Sequence, residues 1–140
     1  MARMTDSEIE ELLRAPHMGV LATVDAKGRP EGTPIWFDWD GKHVRILVHH
    51  ASRKARNIRK NANVSLTIDT RQSPYRGVVL RGTAALSGPD PGLRRRLAAR
   101  YLDEQSAESY IKITASFDAD DVLITITVQS RYSWDYSKGF

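Results

Sequence analysis

His49-His50-Ala51-Ser52-Arg53-Lys54-Ala55-Arg56-Asn57-Ile58 is the stretch on which the reading of this chain turns. The β-branched run just before it, Val44, Ile46 and Val48, alternates as a strand does, and Ser52 stands where a helix would begin. A strand that runs straight into a capped helix presents unpaired backbone N–H groups and the positive end of a helix dipole. Arg53, Lys54 and Arg56 add fixed positive charge at the same point. Such side chains suit the first turn of a helix poorly unless an anion offsets them. The segment therefore reads as a seat for a phosphate or carboxylate, with an ordinary solvated basic helix as the alternative.

Working outward, Thr5-Asp6-Ser7-Glu8 has the form of a capping box, and Ile9, Leu12 and Leu13 fall on one helical face, which predicts a helix to about Arg14, closed by Pro16. Met18 to Val24 reads as a buried strand, Asp25 to Gly28 as a hairpin turn, and Thr33 to Trp39 as the next strand. Pro34 marks that strand as an edge, a bulge or a break, because proline cannot donate to a ladder. Asp40-Gly41-Lys42 is a second tight turn before the strand Val44 to His49, and a basic helix spans 52–61. Val64 to Ile68 alternates as a half-buried strand, 70–74 reads as a loop, and Gly77 to Leu86 is a long strand in which Gly82 signals a bulge or a close backbone approach. Leu93, Leu97, Arg100 and Tyr101 outline an amphipathic helix whose arginines are expected to face water. The segment 104–118 is ambiguous, with a short helix around Tyr110 and Ile111 as one reading, and Val122 to Val128 is a strand continuing toward Trp134.

The sum is six strands joined mostly by antiparallel turns, with about three helices. A mainly β, closed or nearly closed antiparallel barrel with flanking helices buries so many short strands most simply, and an open α+β sandwich is the competing architecture. At 140 residues, 41% hydrophobic and 27% charged, the chain fits one soluble globular domain. No run is long enough to cross a bilayer and the N-terminus lacks a signal peptide's apolar core, so a cytoplasmic location is expected. Zero cysteines remove disulfides and thiolate metal sites. The formal charge of +4 is concentrated in 53–60 and 94–100, which favours anionic ligands.

Catalytic motifs are scarce. There is no GxSxG elbow, Walker A loop or GxGxxG, which removes the usual support for serine-hydrolase, P-loop and Rossmann chemistry. His49 and His50 are adjacent in a strand reading and so point to opposite faces, and no metal site is expected. Asp118, Asp120 and Asp121 read as turn and cap residues. Trp36 and Trp39, three apart in one expected strand, cannot share a face without a bulge; core packing and an aromatic wall for a flat ligand both remain open.

Taken in order, Gly19 to Thr23, Asp25 to Pro30, Pro34-Ile35-Trp36-Phe37, Asp40-Gly41, Ser52-Arg53-Lys54 with Asn57-Ile58, Arg76-Gly77-Val78, Gly82-Thr83-Ala84 and Ser133-Trp134-Asp135 resemble the flavin-binding split β-barrel superfamily. More narrowly, the series resembles the pyridoxamine 5′-phosphate oxidase-like proteins and their flavin/deazaflavin oxidoreductase branch. The resemblance implies a six-stranded antiparallel split β-barrel and a homodimer with cofactor sites at its interface. It implies that Ser52, Arg53 and Lys54 hold a cofactor phosphate, with Asn57 fixing the helix start. Pro34, Ile35 and Trp36 would lie along a tricyclic ring, His49 beside the phosphate, Arg76 and Gly77 along the border of the site, and Trp134 would reach the ring from the partner chain.

Coenzyme F420 is the implied cofactor, with FMN as the alternative. The carboxylate tail of F420 would suit Arg56, Arg59 and Lys60, and arginine outnumbers lysine as in the high-GC actinobacterial genomes that make F420. True pyridoxamine-phosphate oxidase activity is not expected, since Arg131 is only a partial match to the C-terminal substrate pattern of those enzymes. The expected activity is hydride transfer between bound F420 or FMN and a small organic substrate. A non-catalytic flavin- or haem-binding module is one rival. A small barrel that binds single-stranded nucleic acid through Trp36, Trp39 and the arginines is another, disfavoured because aromatics are few.

Overall fold

A computed structural model describes residues 2–139 of the chain. Seven strands, β1 (Gly19–Val24), β2 (Pro30–Ile35), β3 (Asp38–Trp39), β4 (His43–His49), β5 (Asn63–Asp69), β6 (Arg76–Ser87) and β7 (Asp121–Asp135), form one sheet. Four α-helices accompany it: α1 (Asp6–Arg14), α2 (Arg53–Lys60), α3 (Pro91–Tyr101) and α4 (Glu104–Thr114), the last followed by a 3₁₀ turn, Ala115–Ala119. Among the described residues, no helix is long and apolar enough to cross a membrane.

Every strand pairing is antiparallel and the spatial order is β2-β1-β5-β6-β7-β4-β3. The two edge strands, β2 and β3, are therefore neighbours in the chain, joined only by Trp36 and Phe37. A flat sheet of seven strands would hold its edges about 29 Å apart at the usual inter-strand spacing. The three residue steps from Ile35 to Asp38 span at most roughly 11 Å. The sheet must curl until its edges approach each other there, which is consistent with the split barrel that the resemblance implies, with seven strands in place of six.

Phe37 seals that seam and is 0% exposed. Its backbone leaves the ladder there, so its polar groups need other partners. Tyr101, at the end of α3, supplies one: its hydroxyl oxygen accepts the Phe37 N–H at 3.2 Å and the hydroxyl donates to the His17 carbonyl at 2.9 Å. Arg100 beside it donates to the Leu13 and Ala15 carbonyls at the end of α1, both at 2.8 Å, and its guanidinium lies 4.7 Å from the Phe37 ring centre. Removing only the hydroxyl, Tyr101→Phe, is expected to cost about 1–3 kcal/mol, because it strands a donor at the seam. Denaturant unfolding checks this: the midpoint falls while the m-value holds, and an unchanged midpoint would mean that water replaces the hydroxyl.

The core fills the rolled sheet with Leu21, Val44, Ile46, Leu66, Ile68, Val78, Leu80, Ile124 and Ile126, and α1 closes it with Ile9, Leu12 and Leu13. The capping box is present at α1: Thr5 Oγ1 accepts the Glu8 N–H and the Glu8 carboxylate accepts the Thr5 N–H. The irregularity expected at Gly82 is present, but the extra residue belongs to the neighbouring strand: Arg81 pairs with Ser130 and Gly82 with Val128, so Gln129 of β7 bulges opposite the Arg81–Gly82 step.

Several expectations need correction. The strand read over 33–39 is two strands on opposite edges of the sheet. This also settles the tryptophans: Trp39 is buried with its indole N–H donating to Glu10 at 3.0 Å, while Trp36 lies in the crossover between the edges. The arginines of α3 do not all face water. Arg94 is 5% exposed and bonded to Asp118 and Asp121, and Arg100 ties α3 to α1. Two of the three aspartates read as turn and cap residues are thus ion-pair partners of a buried arginine. The ambiguous segment 104–118 is α4 plus the 3₁₀ turn.

Candidate functional site

β4 ends at His49, a short turn follows, and Ser52 caps α2, its Oγ accepting the Ala55 N–H at 3.2 Å. The N–H groups of Arg53 and Lys54 have no acceptor among the described backbone and side-chain bonds, as the opening turn of a helix leaves them. Beside this end of α2 lies a cavity of about 410 Å³. Its polar end is formed by His49, Ser52 and Lys54, and its apolar walls by Ile35, Trp36, Leu47, Leu97 and Tyr110. The size falls within the usual range for small-molecule sites.

The crossover between the sheet edges positions Trp36. Its ring stacks on Tyr101 at a centroid distance of 5.0 Å and an interplanar angle of 9°, and meets Tyr110 of α4 at 5.3 Å. An indole held from two sides is a stiff surface for a flat ring. Arg94 also lines the cavity. Burial lowers the pKa of its guanidinium, but the bonds to Asp118 and Asp121 outweigh that and raise it overall. Asp118 and Asp121 do not themselves line the cavity, so Arg94 meets it as a guanidinium already paired, unlike Lys54.

The structure brings Ile35, Trp36, His49, Ser52 and Lys54 into one cavity and places the other expected residues elsewhere. Pro34 is exposed on β2, opposite Val20. Arg53 and Asn57 lie along a separate basic groove of about 260 Å³, between α2 and the β1–β2 hairpin, with Lys27, Arg29, Arg56 and Lys60. Arg53 Nε donates to Glu31 at 2.9 Å. That bond, with a second from Asn57, holds the Glu31 carboxyl below the usual carboxylate range, and the Glu31 carboxylate in turn raises the Arg53 guanidinium. Asn57 does not fix the helix start. It is buried, and its side-chain amide donates to Thr23 Oγ1 at 2.9 Å and to Glu31 at 3.1 Å, which fastens α2 to the sheet. Arg59, expected among the outward cations, donates to the His50 carbonyl.

Arg76, Gly77 and Trp134 do not line the cavity of their own chain. Gly77 and Trp134 are cross-strand partners, and a Cβ on residue 77 would lie 2.4 Å from the Trp134 ring, so the glycine makes room for the indole. Tyr110, Leu97, Arg94 and Glu31 were not singled out from sequence. Leu97 lay on the apolar stripe of α3 and could have been, whereas Tyr110 and Glu31 carry no local signal.

His49 and His50 are not on opposite faces. His50 has left the strand, so the alternation no longer applies, and the two rings stack at 4.6 Å near Asp120. The Ala51 N–H donates to His49 Nδ1 at 3.0 Å. In a neutral imidazole that puts the proton on Nε2 and withholds its lone pair from a metal.

Residues 5–135 match the sequence profile of the family described as pyridoxamine 5′-phosphate oxidase. The chain belongs to that family. A relative from Streptomyces rimosus, a 5a,11a-dehydrotetracycline/5a,11a-dehydrooxytetracycline reductase, is 37% identical over 92 residues. That alignment covers 60% of this chain and 64% of the reductase, so the match spans less than two thirds of the relative's length. Among solved structures of similar fold, an F420 reductase superposes with a TM-score of 0.73 at 31% identity, over 87% of this chain and 94% of that one. HutZ, a haem storage protein of Vibrio cholerae, superposes with a TM-score of 0.66 at 23% identity over 93% of both chains, a likeness of fold alone.

Proposed function

We propose that the protein is an oxidoreductase that binds coenzyme F420, with FMN as the alternative, and exchanges a hydride with a small organic substrate. The observation that carries this reading is one cavity with a fixed aromatic wall at Trp36 and a cationic, donor-rich end at Lys54 and the first turn of α2. Those two ends match the two chemistries of such a cofactor, a flat conjugated ring and a phosphate. A bound flavin or deazaflavin supplies the hydride chemistry itself. Lys54 and the free N–H groups of Arg53 and Lys54 bind the anionic group, Trp36 and Ile35 orient the ring, and Leu47, Leu97 and Tyr110 keep water from its face.

The basic groove favours F420 over FMN. Lys27, Arg56 and Lys60 line it and form no ion pair among the described residues, while Arg29 and Arg53 are taken by Asp25 and Glu31. A tail of carboxylates would find its counter-charges there, and FMN has no such tail. The similarity to an F420 reductase and to a dehydrotetracycline reductase supports the same class of reaction. The homodimer belongs to the proposal. Trp134 lies outside its own chain's cavity, and Tyr132 beside it on β7 is 53% exposed, so this face is available to a second copy.

Titrating purified protein separately with F420 and FMN tests the reading by absorption. Shifted and quenched bands with F420, and weaker or no change with FMN, are expected. Spectra unchanged by either would remove the proposal.

A further inference from the structure

Resting on the reading of the α2 end as an anion seat, the geometry points to Glu31 as an affinity-setting residue: an internal counter-ion that competes with the ligand's anionic group for Arg53. The first residue of α2 is a cation, and 53–60 contains no acid to offset it. The offset comes from β2. Glu31 Oε2 accepts Arg53 Nε at 2.9 Å, and Oε1 accepts the Asn57 amide at 3.1 Å. Asn57 is itself buried and bonded to Thr23, so the carboxylate is fixed from behind. The arginine is the partner that can leave, because its side chain is 70% exposed against 28% for Glu31. Lys54, next in sequence, turns about a quarter of a helical turn away, into the Trp36 cavity, and has no carboxylate partner among the described residues. An anion arriving at the start of α2 therefore meets Lys54 uncommitted and Arg53 already engaged. Glu31 sets how much of the second cation it obtains.

Glu31→Gln removes the charge while its amide oxygen still accepts from Asn57. Affinities of wild type and variant are measured for F420, FMN and inorganic phosphate. Binding is expected to tighten about threefold in the variant, the scale of an exposed ion pair, and the gain is expected to vanish in an Arg53→Ala background and shrink in high salt. Equal or weaker binding by Glu31→Gln overturns the counter-ion role, as does a gain that persists without Arg53. A second measurement does not depend on how the variant folds. In wild-type protein the Arg53 Nε–H resonance is expected to shift on saturation with phosphate or cofactor, and an unmoved resonance on saturation overturns the role as well. Tightened phosphate binding with neither cofactor bound would retire the cofactor reading and keep the counter-ion. Indifference of both proteins to all three ligands would overturn both.

Discussion

Lys54→Ala is expected to weaken cofactor binding by about tenfold or more, because charge-assisted hydrogen bonds to phosphate are among the stronger single contacts a site can make. Lys54 lines the cavity with Ser52 and His49 and is half-buried, so the substitution removes the charge together with its aliphatic stem, and Lys54→Met separates the two. Arg53→Ala alone is expected to do less, since the guanidinium is engaged by Glu31 and its loss also frees a competing contact. The Arg53→Ala/Lys54→Ala double variant should lose at least as much as Lys54→Ala. Ligand titration followed by absorption or fluorescence measures each affinity. Unchanged affinity in the double variant would remove the anion seat from the α2 terminus.

Gly82→Ala is the second large effect, and it acts on the fold. Opposite the β7 bulge a Cβ on residue 82 would lie 2.0 Å from the Thr127 carbonyl oxygen and 3.1 Å from the Val128 Cα, all of it backbone. Neither atom can swing aside as a side-chain tip could, so β6 and β7 must separate locally. The expected cost is about 3 kcal/mol or more, the upper part of the range for overpacking. For a chain of this size that lowers the melting temperature by roughly 10 °C. Gly88→Ala, where an added Cβ meets nothing within 4 Å, is the control and should melt with the wild type. Equal melting temperatures for the two variants would mean that the bulge yields.

Much of this was legible in the chain because local chemistry settled it. Pro34 announced an edge, a bulge or a break because it lacks an N–H, and of the three the structure shows an edge at β2. Ser52 and Thr5 announced helix starts because each side chain can accept an orphan N–H, and both do. The break between β2 and β3 was hidden for a specific reason. Ile35, Phe37 and Trp39 are all buried, so the alternation runs unbroken through a crossover that leaves one edge of the sheet and joins the other. Period-two burial reports which side faces the core, not which strand is the neighbour. Arg94 was hidden for another reason: in a run of three arginines, only the partners 24 and 27 residues later distinguish the buried one. The split of Arg53 from Lys54 into groove and cavity likewise depends on Glu31, 22 residues earlier in the chain.

The two residues that bridge the sheet edges make foldedness and recognition inseparable here. Trp36 walls the cavity and Phe37 plugs the barrel, on adjacent α-carbons, with Tyr101 stacking on the first and bonding the backbone of the second. Any repacking that loosens the plug tilts the indole next to it, so a substitution deep in the hydrocarbon interior reaches the ligand without touching it. Reshaping the cavity at Trp36 would thereby call for matching changes at the Phe37 plug and the Tyr101 brace.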